Sequence, residues 1–289
     1  VDWQGRRVLV TGATGFIGGH LARRLAELGA EVHPAGRRQA DLRDAGAAAR
    51  LVRQVAPDVV FHLAGQVDGA RDPGVVRPTL DGNLVATVNL LDAVVRSGCR
   101  VVLAGSSEEP RPGNGHCPPP SPYAMAKAAA SGYAELYRRL WDLPYTIVRP
   151  TMVYGPGQRD TSKVVPYVTL ALLRGATPRL TSGAKPVDWV YVEDVAEAFA
   201  LAGASERAVG AAFDVGTGTT VPVREAVGLL YRIAGEESEP PFGSAPDRPL
   251  DVPQAADPGP ARELLGWEAR VLLEEGLRRT VAWFSALRA

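Results

Sequence analysis

Apolar and polar positions along the first half of the chain alternate between two periods. Short apolar runs at 8–10, 31–35, 59–63, 101–104 and 145–148 are separated by longer stretches with helical spacing at 18–28, 45–55, 84–97 and 123–141. A strand followed by a helix of this length, repeated, predicts a parallel sheet covered on both faces, because each crossover must return the chain to the same edge direction. Such sheets carry their functional residues at the carboxyl ends of the strands. Beyond Pro150 the pattern is less regular and richer in Pro and Gly. Helices are expected there at 164–174, 194–202, 223–234, 260–265 and 273–287, with an apolar stretch at Val187–Val192. The reading is α/β: a doubly wound parallel sheet over 1–150, then a smaller C-terminal lobe over 151–289 from which some segments return to the sheet.

The first strand runs into Thr11-Gly-Ala-Thr-Gly-Phe-Ile-Gly18. Gly12, Gly15 and Gly18 let the chain turn tightly and bring bare N–H groups to a pyrophosphate at the positive end of the following helix, the arrangement of a Rossmann-type dinucleotide site. After the second strand comes Ala35-Gly-Arg-Arg38. Two guanidiniums suit a 2′-phosphate, which favours NADP(H), with NAD(H) possible if Arg37 and Arg38 are simply solvated in an arginine-rich chain.

Composition narrows the remaining classes. The 289 residues are 46% hydrophobic, enough for a sizeable core, and the acidic and basic residues balance at 32 each. Neither nucleic acid nor an anionic membrane is an expected partner. Two cysteines, Cys99 and Cys117, and four scattered histidines do not make a disulfide framework or a metal site. With no membrane-length apolar run and no leader pattern, a soluble protein of the reducing cytoplasm is expected. Lysine is scarce: only Lys127, Lys163 and Lys185 occur.

One of those three stands in Tyr123-Ala-Met-Ala-Lys127, which puts a phenol and an ammonium on one face of a helix. A cation beside the phenol, together with a positive nicotinamide, favours phenolate, so Tyr123 can exchange a proton with a substrate hydroxyl or carbonyl. Ser106, just past the strand at 101–104, can hydrogen-bond the same oxygen.

These features resemble the extended short-chain dehydrogenase/reductase superfamily, in its NAD-dependent epimerase/dehydratase branch that acts on nucleotide sugars. Further marks of the likeness are Asp41-Leu-Arg-Asp44, His62-Leu-Ala-Gly65, Asn83-Leu-Val-Ala-Thr-Val-Asn-Leu-Leu91, Gly105-Ser-Ser-Glu-Glu109, Arg149-Pro150, Val153-Tyr-Gly-Pro-Gly-Gln158, Tyr191-Val-Glu-Asp-Val195 and Arg248-Pro-Leu-Asp-Val-Pro253. The resemblance implies a triad of Ser106, Tyr123 and Lys127, with Lys127 also on the nicotinamide ribose and Asp41 and Leu42 near the adenine. It implies a cofactor lining completed by Thr14, Phe16, Ile17, Leu63, Ala64, Gly65, Asn83, Pro150 and Val153. Substrate contacts would come from Ser107, Glu108, Tyr123, Met152, Lys163 and Arg248. It also implies a homodimer, paired through the helices at 84–97 and 123–141.

The segment 105–109 is similar both to reductases of GDP-4-keto-6-deoxymannose and to 4,6-dehydratases. In the dehydratases a carboxylate at the position of Glu108 removes the sugar C5 proton; in a reductase Glu108 would bind sugar hydroxyls. The family's Asn before Val-Tyr-Gly-Pro is Met152 here, and its Arg before Asp-Phe is Val187, so two pyrophosphate contacts are replaced; Arg248 is retained, and Arg159 or Lys163 could substitute. The leading expectation is NADPH-dependent reduction of a nucleotide-activated 4-keto-6-deoxy sugar. The alternatives are a redox-neutral 4,6-dehydratase or epimerase, a ketoreductase for a non-nucleotide carbonyl compound, and a non-catalytic dinucleotide sensor.

Overall fold

The computed structural model describes residues 2–110, 119–247 and 255–287. Two compact units emerge. The first comprises residues up to Pro150 together with Ala196–Asp214 and Gly259–Trp267; the second comprises Thr151–Val195, Val215–Pro258 and the segment from Glu268 onward.

The first unit is built on a six-stranded sheet in the order β2-β1-β3-β4-β5-β9. Its strands are β1 (Arg7–Thr11), β2 (Glu31–Ala35), β3 (Val59–His62), β4 (Arg100–Ala104), β5 (Tyr145–Pro150) and β9 (Ala212–Val215). β1 pairs in parallel with β2 and β3, and the parallel series continues through β4 to β5. Burial on both faces explains why these strands read as continuous apolar runs: Val8, Leu9, Val10, Val60, Val101 and Val102 are fully buried. The order reverses at β1, so the turns after β1 and β3 meet at the switch point where doubly wound sheets bind ligands.

The helices of this unit start and stop on local chemistry. In α2 (Ala45–Val55) the Asp44 carboxylate accepts from the Ala47 N–H, and the helix ends at Ala56 in the left-handed region. In α5 (Pro122–Trp141) Ser121 accepts from the Ala124 N–H at 3.1 Å, Pro122 supplies the first turn, and Asp142 closes the helix at φ 54°. α1 (Phe16–Glu27) is different, with neither a side-chain cap nor an acidic residue in its first turn.

The helix expected at 84–97 begins earlier. It opens as α3 (Val76–Thr79), widens into a π-helical stretch at Leu80–Val85, and continues as α4 (Ala86–Val94). The polar run Asp81-Gly-Asn83 hid this start from the hydrophobic pattern. The widened turn accompanies Asn83, whose side chain binds Gln66 through both its oxygen and its nitrogen. α4 stops early because the Ser97 hydroxyl donates to the Val94 carbonyl.

The second unit has its own core. β6 (Met152–Tyr154) pairs in parallel with β8 (Trp189–Tyr191), and β7 (Pro186–Val187) pairs antiparallel with β10 (Val221–Pro222). The apolar stretch at 187–192 is thus divided between two short strands and the start of α7 (Val192–Ala204), because Asp188 breaks it. Around Tyr154, Trp189 and Leu230 pack α6 (Val164–Leu173), α8 (Val223–Ala234) and α10 (Leu273–Ala286). The remaining helix, α9 (Gly259–Leu265), belongs to the first unit.

Two glycines of this second core give opposite expectations. A Cβ at Gly276 would lie 2.3 Å from the hydroxyl of the buried Tyr154, whereas one at Gly228 would meet nothing within 4 Å. Alanine gains about 1 kcal/mol over glycine within a helix, but overpacking costs roughly 1–3 kcal/mol. Gly276→Ala should therefore lower the melting temperature and Gly228→Ala should raise it, measured side by side by thermal unfolding.

Candidate active site

The glycine turn is a backbone-on-backbone contact. Gly12 sits at φ +75°, and a Cβ there would lie 2.6 Å from the Ala64 nitrogen and the Leu63 carbonyl carbon. At Gly18 a Cβ would fall 2.2 Å from the Gly12 carbonyl oxygen. Gly15 is the N-cap of α1 and donates to the Gly12 carbonyl at 2.9 Å. The first N–H groups of a helix have no partner within it, and here no side chain caps them. Phe16 and Ile17 therefore present the donors and the positive helix end that a pyrophosphate needs. The cradle fits a dinucleotide.

Around it, Thr14 lies against Gly36, and Gly65 lies against Asn83, whose Oδ1 would be 2.4 Å from a Cβ at position 65. Arg37 and Arg38 are exposed on the turn after β2. Asp41 is bound to Arg43, and that hydrogen bond holds its carboxyl down at about 2. Leu42 is buried with Ala48 and Ala86, with Ala64 packed alongside.

The proton-transfer candidates lie past β4 and at the start of α5. Ser106 is buried and lies near enough to Tyr123 to influence its phenol. The Ser106 hydroxyl also accepts from the Glu108 N–H at 3.2 Å. Lys127 is buried one turn beyond Tyr123, its Nζ 6.0 Å from the Tyr123 ring centroid and donating to the Ala104 carbonyl at 2.7 Å. Burial pushes the Lys127 ammonium down to about 8, against an opposing pull from Glu109.

Tyr123 departs from the expected direction. Its phenol is raised, chiefly by burial, with Ser106 opposing the rise and the nearby carboxylates Glu108 and Glu109 adding to it. Lys127 was expected to lower it, but the ammonium is directed to the Ala104 carbonyl and desolvation prevails. The protein's own groups hold Tyr123 as the neutral phenol.

Behind these groups runs a buried chain of hydrogen bonds whose direction can be assigned. The Thr87 hydroxyl donates to the Asn83 carbonyl at 2.5 Å, so it must accept from His62 Nε2 at 3.0 Å. His62 Nδ1 then accepts from the Thr11 hydroxyl at 2.8 Å, and Thr11 Oγ1 accepts from the Ala64 N–H at 3.4 Å. Burial, with Lys127 nearby, drives the imidazole down to about 3, so His62 is neutral. This chain joins the ends of β1 and β3 to the π-helical stretch.

The carboxylate most involved with Ser106 is Glu109, which sequence reasoning passed over for its neighbour. Glu109 is buried and accepts from the Ser106 N–H at 2.6 Å; Glu108 is half-buried, with its Oε2 3.5 Å from Ser121 Oγ. Ser107 donates its N–H to the Pro150 carbonyl at 3.3 Å.

The other candidates lie apart in sequence. In the second unit Met152 and Val153 stand in β6 opposite Trp189 and Val190, and Lys163 is the N-cap of α6. Val187 is buried, and next to it Asp188 takes four hydrogen bonds from Thr217, Gly218 and Ala256. Arg248, like His116 and Cys117, lies outside the described residues. Among the described residues no group of three His, Cys, Asp or Glu could hold a metal, and no helix is long and apolar enough to cross a membrane.

A parallel sheet with a glycine turn at its switch point and Ser, Tyr and Lys past β4 defines an extended short-chain dehydrogenase/reductase. More narrowly, the chain belongs to the NAD-dependent epimerase/dehydratase family, whose model matches residues 8–216. It is 35% identical to the UDP-glucose 4-epimerase of Mycolicibacterium smegmatis, over 96% of this chain and 98% of that protein. Among solved structures it is similar to the UDP-glucose 4-epimerase of Thermotoga maritima with UDP-glucose, with a TM-score of 0.87, 30% identity, and 98% and 99% of the two chains covered. It is also similar to the Thermus thermophilus UDP-glucose 4-epimerase in complex with NAD, with a TM-score of 0.83, 32% identity, and 96% and 99% covered. It is an enzyme of this NAD(H)-dependent family.

Burying the Lys127 charge carries a measurable cost. Its folded value, about 8, lies below the unfolded 10.5, so between those values the folded state holds fewer protons and stability rises with pH. Below pH 8 the full cost, on the order of 3 kcal/mol, is present. Lys127→Met should melt higher than the wild type at pH 7, and the difference should shrink as pH rises from 8 to 10.5. Thermal unfolding across that range checks both the sign and the window.

Proposed function

We propose that the enzyme is a redox-neutral nucleotide-sugar epimerase that uses Ser106, Tyr123 and Lys127 to move a proton on and off a sugar hydroxyl. The observation that carries this reading is the buried Lys127 beside the Tyr123 ring, with the buried Ser106 near the same phenol, in a chain matched along nearly its full length by a UDP-glucose 4-epimerase. A nicotinamide dinucleotide, when bound, supplies the hydride acceptor and donor. The N-terminus of α1 with Gly12, Gly15 and Gly18 would hold its pyrophosphate. With the positive nicotinamide bound, Tyr123 would give up its own proton to solvent, and the resulting phenolate oxygen would take the proton of the sugar hydroxyl and later return it to the same sugar oxygen. Ser106 orients that oxygen through its hydroxyl. Lys127 sets a positive charge beside the phenol.

UDP-glucose with NAD should yield UDP-galactose without net change in nicotinamide absorbance. Tyr123→Phe should lower turnover by about 10²–10⁴-fold while NADH binding, followed by fluorescence, is retained. If no hexose isomer forms, this reading fails.

A second reading has its own observation. Arg37 and Arg38 are exposed where a 2′-phosphate would lie, which supports NADP(H) and net reduction of a 4-keto-6-deoxy sugar nucleotide. Replacing both with Ala should weaken NADPH at least tenfold and leave NADH nearly unchanged, since each guanidinium–phosphate bond contributes about 1.5–3 kcal/mol. Equal loss for both cofactors would sink that reading. In a dehydratase, Glu108 would take the C5 proton and the product would lack one water.

A homodimer is proposed on the exposed apolar row of α5, namely Met125, Tyr133, Leu136, Leu140 and Trp141. Leu136→Glu with Leu140→Glu should give a monomer in sedimentation if this row is the interface.

A further inference from the structure

We infer that Glu109 is a positioning residue of the proton-transfer site, its carboxylate fixing the turn that carries Ser106 and tying that turn to the helix that carries Tyr123 and Lys127. The inference rests on the reading of Ser106, Tyr123 and Lys127 as the residues that move the proton.

The geometry is that of a closed turn. Glu109 Oε1 accepts from the Ser106 N–H at 2.6 Å, while the Glu109 N–H donates to the Ser106 carbonyl at 3.1 Å. The two residues thus bind each other through backbone and side chain at once. Oε2 accepts from the Ser131 hydroxyl at 2.7 Å and from Arg149 Nε at 3.1 Å. Ser131 lies four residues after Lys127 on α5, on the same helix face. One carboxylate therefore ties the serine turn to α5 and to the end of β5. Gly105 makes room for it: a Cβ there would lie 2.6 Å from Glu109 Oε1 and 2.9 Å from Arg149 Cγ.

Stability does not explain such a group. Glu109 is only 2% exposed, and a buried ion pair is often no more stabilising than apolar side chains of the same volume. What the carboxylate adds is a fixed backbone at Ser106 and a fixed charge. Lys127 faces the neutral His62 from β3, the Ala104 carbonyl of β4, the phenol of Tyr123 on its own helix, and Glu109. Among these the anion is Glu109, and it favours the protonated amine. Glu109 also favours the protonated form of Tyr123, as does Glu108. Removing the Glu109 charge should therefore move both titrations to lower pH.

With only three lysines in the chain, the test needs no substrate. Protein labelled with 13C-lysine shows three Cε signals, and loss of one in Lys127→Met identifies Lys127. The wild-type midpoint is expected at about 8. In Glu109→Gln, which keeps the acceptor oxygen but not the charge, it should fall by about one pH unit, and the alkaline limb of kcat should move with it. In Glu109→Asp, which keeps the charge but is one methylene too short to reach the Ser106 N–H, the midpoint should stay. There kcat should drop about tenfold or more at unchanged KM.

A lowered melting temperature with an unmoved Lys127 midpoint in Glu109→Gln would make Glu109 a structural ion pair only and overturn the inference. Should Glu109→Gln not fold, Glu109→Asp carries the test, and an unchanged kcat in that variant overturns the inference. If the wild type converts no sugar nucleotide while the midpoint still shifts, it is the proposed reaction that fails and the electrostatic role of Glu109 that stands.

Discussion

The close approach of main chain to main chain at Gly12 is the contact from which the rest of the first unit is organised. With Leu63 and Ala64 pressed against it on one side and Gly18 on the other, β1 can end, turn and enter α1 within a few residues. The same contact brings the end of β3 beside the end of β1, which is why Thr11 and His62 are within hydrogen-bond reach. A side chain at Gly12 would push these strand ends apart and with them the chain of polar groups that reaches Asn83. The uncapped start of α1 follows from the same turn, since a capping side chain would occupy the space where the helix offers its free N–H groups.

Past that turn the balance shifts from sterics to electrostatics. The site buries the ammonium of Lys127 where charge is costly, and His62 and Tyr123 are shifted chiefly by the burial they share with it. His62 stays neutral, so it can serve as a hydrogen-bond link of fixed tautomer rather than as a second cation. Tyr123 is pushed toward the phenol by desolvation and by two carboxylates. A charge arriving from outside has large leverage in such an environment, because it acts at low effective dielectric.

The sheet was legible in the sequence because strands buried on both faces must be apolar throughout, and the glycine spacing and Tyr123–Lys127 pair followed from local geometry. The features that escaped it depend on tertiary placement. Asp81-Gly-Asn83 reads as a break in helical periodicity, yet Asn83 is buried against Gln66 and the helix runs through it with a π turn. Glu108 and Glu109 are chemically alike in sequence, and only the fold decides which turns inward. The direction of the Tyr123 shift was also beyond reach, since it depends on how much water the fold removes from the phenol rather than on how many residues separate it from Lys127.

Two buried carboxylates show why polar residues stand where an apolar core would be expected. A loop at the end of a strand carries backbone N–H groups that no sheet or helix satisfies, and a buried unpaired N–H costs as much as a lost hydrogen bond. Apolar side chains cannot meet that demand. A carboxylate can, having lone pairs for about four donors. Asp188 uses all of them, on the N–H groups of Thr217, Gly218 and Ala256 and the Thr217 hydroxyl, and Gly216 leaves the space its Oδ2 requires. Glu109 takes one such N–H at the turn of Ser106, together with the Ser131 hydroxyl and Arg149 Nε, with Gly105 leaving the space. In each unit a glycine and an acidic residue together order a loop that hydrophobic packing could not hold, and in the first unit that loop carries Ser106.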